Sequence, residues 1–346
     1  MQYFVEDHMN LLDEKGRLAC PGFSTQEMWD YERSDIKGSP FRIKEWDYYY
    51  FGNEHFGVAL TIADNSYMGL ISASLLDFDT SFQHTKSRII PFTFGRFALP
   101  PSTTAGETSY QSRKLDMSFR VDEKLRHLRC HYHDFYQGRP LILDVKLTDF
   151  PRDHLCIATP FAEKKRRFYY NQKIPLMHAQ GYVQMGEKSY ELDSSPINMG
   201  LLDWGRGVWP YKNTWYWSAL NTVLADGRKF AFNLGYGFGD TSRATENMLF
   251  VDGVADKLED VSFLIPQKED GSYDYLSPWT FTSPDHRIDL TFRPILNRAA
   301  KTKLLMLESD QNQVFGRFEG TVLLSTGEEI TLDGALGFAE RVFNKW

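Results

Sequence analysis

The densest chemistry in the chain lies in Leu202-Asp203-Trp204-Gly205-Arg206-Gly207-Val208-Trp209-Pro210-Tyr211, followed closely by Trp215-Tyr216-Trp217-Ser218-Ala219-Leu220-Asn221. Asp203 is the candidate acid. If its carboxyl is buried among rings, desolvation raises its pKa and fits it to donate a proton; if Arg206 pairs with it, the pKa falls and the group is structural. Either reading is open from sequence alone. Asp240, Glu246 and Asn247 follow a glycine-bearing strand and would supply further polar contacts near one barrel rim.

In a strand beginning at Trp215, period two puts Trp215, Trp217, Ala219 and Asn221 on one face, with Tyr216, Ser218 and Leu220 on the other. The next strand divides the same way. Ala231, Asn233, Gly235 and Gly237 share a small, amide-bearing face, and Phe230, Phe232, Leu234 and Tyr236 form the ring-rich face opposite. A barrel lined by the small face would leave room for one ligand; in the bland reading the glycines are bends and the rings are core. The candidate ligand contacts are therefore Trp204, Arg206, Trp209, Trp215, Trp217, Asn221, Asn233, Tyr236, Asp240, Glu246 and Asn247.

Other constellations are weaker. His131 and His133 flank Tyr132 with the spacing of a metal pair, but no third ligand is identifiable, so no metal and no cofactor are expected. Gly235-Tyr236-Gly237-Phe238-Gly239 lacks the spacing of a phosphate loop, no GxSxG elbow occurs, and Cys130 or Cys156 as a nucleophile has no distinguishing support. The three cysteines, Cys20, Cys130 and Cys156, show no CxxC spacing and suit a reduced compartment.

The elements that must position these residues are strands. Trp46 to Phe51 is almost wholly aromatic, Val58 to Ile62 alternates, and Asp64-Asn65, Asp226-Gly227, Asp252-Gly253 and Ser325-Thr326-Gly327 read as hairpin turns. Helical signals are confined to the first residues, Thr25–Arg33, and a short turn near Phe161–Arg166. The pattern predicts an all-β sandwich or barrel protein. Echoes at offsets near 162 (Asp64-Asn65 with Asp226-Gly227, Phe119 with Phe281) and near 140 (Gly181-Tyr182-Val183 with Gly320-Thr321-Val322) suggest two similar β domains. The boundary is expected at Asp193-Ser194-Ser195-Pro196. Residues 1–40 would form an N-terminal extension packed on the barrels, 41–193 a first barrel and 197–346 a second.

Length and charge bound the partners. The 346 residues contain 26 Phe, 18 Tyr and 8 Trp, and half of the tryptophans lie between Trp204 and Trp217. With 39 Lys+Arg against 46 Asp+Glu, a net charge of -7, no basic field would hold the chain on nucleic acid or an anionic membrane. The basic run Lys164-Lys165-Arg166-Arg167 is either a lip for an anionic ligand or a solvated turn. No segment approaches the ~18–20 apolar residues of a spanning helix, so stable membrane insertion is not expected. The acidic amino terminus does not read as a secretion signal, and a cytoplasmic location is expected.

The segment from Leu202 to Tyr211, with Asn233-Leu234-Gly235-Tyr236-Gly237-Phe238-Gly239-Asp240, Thr245-Glu246-Asn247, Gln313-Val314-Phe315-Gly316 and Phe338-Ala339-Glu340, resembles the uncharacterised bacterial family called domain of unknown function 2804. The resemblance runs over nearly the whole chain. More distantly, the sequence is similar to tandem lipocalin-like proteins, among them carotenoid hydratases, tocopherol cyclase and fungal Diels–Alder cyclases. Their Asp-His-x-Trp-Gly segment, Trp-x-Trp strand and Asp-Gly hairpin look like Asp203-Trp204-Gly205, Trp215-Tyr216-Trp217 and Asp226-Gly227, without the histidine. The resemblance implies two tandem lipocalin-like (calycin) antiparallel β-barrels. It further implies a hydrophobic small-molecule ligand of isoprenoid, polyene or fatty-acyl type, held in an aromatic-lined barrel interior. Two alternatives are a hydratase or cyclase acting on an isoprenoid double bond with Asp203 as acid, and a carbohydrate-binding β protein.

Overall fold

The computed structural model describes residues 2–304 and 307–345. The protein is all-β and consists of two lipocalin-like antiparallel β-barrels in tandem. The first sheet has 13 strands. Its main path runs Phe82–Pro91, Met68–Asp77, Phe56–Asp64, Ile43–Gly52, Met199–Val208, Phe168–Met185, Arg139–Thr148, Arg126–Tyr136, Leu115–Val121 and Gly106–Gln111. The second sheet has 9 strands, in the order Val254–Lys257, Met248–Val251, Lys229–Tyr236, Lys212–Val223, Glu329–Lys345, Leu307–Leu323, Ile288–Leu304, Trp279–Thr282 and Ser262–Leu264.

Each sheet curls until one edge strand is tied by side chains to a part of the sheet further along. His84 Nε2 lies 2.9 Å from the Phe135 carbonyl and Lys86 Nζ 2.9 Å from Asp134, bringing Phe82–Pro91 against Arg126–Tyr136. In the second barrel, Arg287 donates to Asp256 (2.8 Å) and to the Lys257 carbonyl (2.9 Å). The interiors are filled. Tyr49, Phe51, Leu60, Leu128, Val145 and Trp204 belong to the first core, and Phe230, Phe232, Trp279, Phe281, Phe292 and Phe318 to the second. Burying such a side chain stabilises by roughly 2–3 kcal/mol.

A third apolar cluster lies in the seam between the barrels and includes Tyr48, Tyr50, Leu201, Trp217, Phe315 and Phe338. This explains the aromatic run Trp46 to Phe51. In the strand Ile43–Gly52, Tyr49 and Phe51 point into the first barrel, while Tyr48 and Tyr50 face the second. Both faces are buried, so the run carries rings at consecutive positions rather than alternating them with charges.

The echo near offset 140 marks equivalent hairpins. Setting Ile43–Gly52 on Lys212–Val223 brings the two strand orders into correspondence, with Phe168–Met185 matching Leu307–Leu323 and Arg139–Thr148 matching Ile288–Leu304. Gly181 (φ +140) and Gly320 (φ +124) then occupy the same place. A β-carbon on either would meet a carbonyl of the neighbouring strand, Asp144 O at 2.1 Å or Asp289 O at 2.3 Å. The offset of 162 instead pairs turns of different rank, since Asp64-Asn65 follows the second strand of its meander and Asp226-Gly227 the first. The change of sheet also falls later than the expected 193/197 boundary. Met199–Val208 is hydrogen-bonded between Ile43–Gly52 and Phe168–Met185 in the first sheet, and the second sheet begins at Lys212.

Thr25–Arg33 is not helical except at its last residue, where Arg33 opens the short 3-10 turn Arg33–Asp35. Trp29–Asp30 pairs in parallel with Met9–Asn10, and Trp29 and Tyr31 are buried while Asp30 is exposed, a period-two pattern that a helix would break. Gly22–Ser24 joins the edge of Leu155–Pro160, so part of the N-terminal region is built into the first sheet. No helix among the described residues is long and apolar enough to cross a membrane.

Candidate functional site

Alternation along the strands of both sheets brings a set of buried polar side chains into the seam. Met199, Leu201 and Asp203 face the second barrel, whereas Leu202, Trp204 and Arg206 face the interior of the first. Asp203 and Arg206 are therefore on opposite sides of one strand and do not pair. Arg206 binds Asp47 (3.0 Å) and the carbonyls of Trp46 and Pro100, with its guanidinium 3.9 Å from the centre of the Trp204 ring. Trp204 and Arg206 are core components of the first barrel and lie away from the seam.

Asp203 meets Lys173 instead. The two are cross-strand neighbours, with Lys173 Nζ 3.0 Å from Asp203 Oδ1, and Asn171 Nδ2 donates to the same oxygen at 2.6 Å. The ammonium of Lys173 also lies 3.8 Å from the centre of the Trp217 ring, a cation–π contact. From the second barrel, Trp217 Nε1 donates to Asn233 Oδ1 (2.7 Å), and Asn233 Nδ2 donates to the Glu246 carbonyl (2.6 Å). Glu340 accepts from Trp215 Nε1 (2.8 Å) and Gln313 Nε2 (3.0 Å), and the Tyr48 hydroxyl of the first barrel reaches Gln313 Oε1 at 3.4 Å.

Burial dominates the electrostatics of this group. It pushes the Glu246 carboxyl up to about 7, against the opposing pull of Lys173, and with Asp203 adding to the rise. Burial likewise pushes Glu340 up to about 7, opposed by the hydrogen bond from Trp215. Two protonated or protonatable carboxyls therefore share a seam with an engaged Asp203–Lys173 pair. Rings enclose one side: Tyr169, Trp209 and Phe238 cluster with Trp46 and Trp215, mostly edge to face.

A cleft of about 240 Å³ opens in the same seam. Its apolar walls include Tyr50, Met199, Leu201, Ala219 and Phe338, and Asn53, Glu54 and Asn221 supply polar lining. Asn221 also accepts from the Leu176 backbone N–H at 3.1 Å, a bond between the barrels. Leu201 and Ala219 are shared with a smaller void of about 10 Å³ beside Lys173, Trp217 and Asn233, which is room for about one water.

Of the residues singled out from sequence, the seam gathers Asp203, Trp209, Trp215, Trp217, Asn221, Asn233 and Glu246. Tyr236 lies on the opposite face of its strand, stacked on Tyr216 at 4.5 Å inside the second barrel. Asp240 caps its own turn through the Ser242 N–H. Asn247 holds the loop by accepting from Gly235 N (2.7 Å) and donating to the Glu259 carbonyl (2.7 Å). The expected cavity under Ala231, Asn233 and Gly235 is not inside a barrel. That face is turned to the first barrel, where Ala231 packs with Leu155, Ile157 and Leu176, while Phe230, Phe232 and Leu234 fill the interior.

Sequence reading passed over Lys173, Asn171, Gln313, Tyr48 and Glu340 as site residues. A signal existed for the first two: Tyr169, Asn171 and Lys173 alternate with Phe168, Tyr170 and Gln172, an unusual load of polar groups for a strand buried on both faces. Gln313 and Glu340 belong to motifs already noted for their resemblance to a family. His131 and His133 stack at 4.0 Å, and no group of three or more His, Cys, Asp or Glu among the described residues is arranged to hold a metal ion.

Comparison with known proteins places this arrangement in context. The solved structure of CghA has a TM-score of 0.56 with 12% identity, covering 97% of both chains. CghA with Sch210972 gives 0.53 with 11% identity over 97% of both chains. Kievitone hydratase from Nectria haematococca gives 0.46 with 12% identity over 97% of this chain and 98% of that one. No curated protein matches by sequence. The family model described as Domain of unknown function (DUF2804) matches residues 2–346, and the chain belongs to that family.

Proposed function

We propose that the protein binds a hydrophobic small molecule, isoprenoid, polyene or fatty-acyl in type, in the cleft between its two barrels. The observation that carries this reading is the cleft itself, about 240 Å³ and walled by Tyr50, Met199, Leu201, Ala219 and Phe338. The cleft is open on one side and carries Asn53, Glu54 and Asn221 beside its apolar wall, which suits the end of a longer molecule with a polar group at the mouth. Ten buried CH₂ groups would contribute roughly 8 kcal/mol by transfer before association costs. The fold shared with CghA supports a small-molecule role in general terms. Native mass spectrometry of gently purified protein is expected to show a lipid-like adduct, and Ala219→Trp, which fills the cleft, to lose it. A protein that carries no adduct and takes up no apolar probe would overturn the reading.

A second reading, a hydratase or cyclase acting on a carbon–carbon double bond, is favoured by one observation: two carboxyls, Glu246 and Glu340, are pushed up to about 7 beside aromatic rings. Groups poised near neutrality suit proton transfer. Asp203, engaged by Lys173 and Asn171, would then hold the lysine rather than supply the proton. A carbohydrate site would present exposed coplanar rings to a sugar, whereas Trp209 and Trp217 are buried and meet their neighbours edge to face.

A further inference from the structure

A group of exposed rings stands on the first barrel, away from the cleft. Phe41, in the turn Pro40–Arg42, is 52% exposed, and Phe92 and Phe94, in the loop after Phe82–Pro91, are 64% and 37% exposed. The three rings form one patch: Phe41 meets Phe94 edge to face at 5.0 Å, and Phe92 stacks on Phe94 at 6.3 Å. The cleft is lined by Tyr50 and Gly52, at the far end of the strand Ile43–Gly52 that Phe41 leads into. Single exposed apolar residues are ordinary, whereas a contiguous group of large ones marks a contact surface.

The loop is built to hold its rings outward. Phe92 (φ +55) and Phe94 (φ +46) both have left-handed backbones, which bulky residues adopt only where the surroundings fix them. Here they are fixed from below. Thr93, between them, is fully buried and its hydroxyl donates to Asp64 Oδ1 (2.8 Å). Gly95 N donates to Asp64 Oδ2 (2.8 Å), Phe92 N to the Tyr67 carbonyl (2.9 Å) and Phe94 N to the Ser66 carbonyl (3.0 Å). A ring left in water gains nothing from folding, so the packing of the barrel does not account for the strained backbone.

Around the rings the sign of the charge reverses. Residues 36–44 and 80–106 contain six lysines and arginines and no acidic residue, in a chain whose net charge is -7. Arg96 is exposed and reaches back to the Pro91 carbonyl at 3.3 Å, beside Phe92. Arg42 follows Phe41, and its guanidinium shares the Tyr211 ring with the ammonium of Lys345, at 5.3 and 5.8 Å. We propose that Phe41, Phe92 and Phe94 form a docking surface for a bilayer containing anionic phospholipid, the rings entering the boundary between headgroups and acyl chains while Arg42 and Arg96 meet the headgroups. Rings that stand out from the surface, rather than line a groove, are taken up by a fluid interface without a matching shape. Because the chain as a whole is negative, the attachment is peripheral and reversible. It is independent of ligand uptake in the cleft.

The test sediments the full chain with sucrose-loaded vesicles of phosphatidylcholine alone and of phosphatidylcholine with one third phosphatidylglycerol. Partitioning onto the anionic vesicles is expected to be ~10-fold stronger at low salt and to fall toward the neutral level at about 0.5 M salt, where charges are screened within a few ångströms. Phe92→Asn combined with Phe94→Asn is expected to weaken it ~10-fold or more, while the thermal midpoint stays level or rises, because asparagine takes a left-handed backbone more readily than phenylalanine. Phe41→Ser, on the other segment and free of that backbone, is expected to weaken it as well, and Arg96→Gln to lower it about fivefold on the anionic vesicles alone. No sedimentation with the anionic vesicles, equal binding to both kinds, or binding that survives loss of the three rings overturns the proposal. So does a dimer that the ring variants dissociate, since a second copy of the chain would then cover the rings.

Discussion

Glu246→Gln should make the protein more stable, but only where the carboxyl would otherwise be ionised. The ordinary glutamate value of 4.5 is raised to about 7, first because the group is buried and then because Asp203 and Glu340 are close, against the partial relief of Lys173 and Lys257. At ~1.4 kcal/mol per tenfold, ionising this carboxyl in the folded state costs about 3 kcal/mol. The sign follows from proton linkage. Below pH 4.5 both folded and unfolded chains hold the proton and no penalty exists. Between 4.5 and 7 folding takes up a proton, so stability falls as the pH rises, and above 7 the full cost applies. Glutamine carries no such cost. The variant should therefore match the parent at pH 4.5 and exceed it by up to about 3 kcal/mol at pH 8. At ~2 cal/mol/K per residue, that raises Tm by about 4 °C for a chain of this length. Urea titrations at both pH values, followed by tryptophan fluorescence, measure the difference. A variant that tracks the parent at both pH values, or is weaker at pH 8, would refute the account, since the carboxyl would then have a partner that stabilises its charge.

Lys173→Met should destabilise the fold by roughly 3 kcal/mol, because it leaves Asp203 buried with Asn171 as its remaining side-chain donor; the double variant with Asp203→Leu should recover most of the loss in the same urea titrations. Gly320→Ala should cost about 3 kcal/mol or more, or prevent folding, since a β-carbon would stand 2.3 Å from Asp289 O at a φ of +124, and Gly181→Ala should behave alike at the equivalent place. Trp215→Phe removes the N–H that holds Glu340 down, so the midpoint of the Glu340 carboxyl resonance in a carbon-13 NMR titration should move above the present value of about 7.

Strands and turns were legible because period-two alternation and turn chemistry are local. Asp226-Gly227, Asp252-Gly253 and Ser325-Thr326-Gly327 all close hairpins. Alternation separates the two faces of a strand without saying which way either points. For Lys229–Tyr236 the small amide face and the ring face are both visible in the sequence, and alternation alone allows the small face to line a barrel interior. Both faces are in fact buried, the rings within the second barrel and Ala231 and Asn233 against the first. Lys173 and Glu340 were passed over for a related reason. A charge on a strand ordinarily marks the solvent side, and only the docking of a second sheet turns that side into an interior.

The location of the site follows from how the two barrels divide the work of packing. Each fills its own interior mainly with rings and branched side chains, and Arg206 within the first barrel is held by Asp47 and three carbonyls. The faces turned toward each other are curved and cannot fit everywhere, so both the 240 Å³ cleft and the small void beside Lys173 fall between them. The chemistry is split in the same way. The Asp203–Lys173 pair and Tyr48 come from the first sheet, whereas Glu340 with Trp215 and Gln313, and Glu246 in the loop after Lys229–Tyr236, come from the second barrel. Neither half makes the site alone. Separated barrels would return Glu246 and Glu340 to water and to ordinary acidity, so a carboxyl that ionises near 7 is a property of the docked pair, and ligand affinity should vanish with docking even if both barrels stay folded.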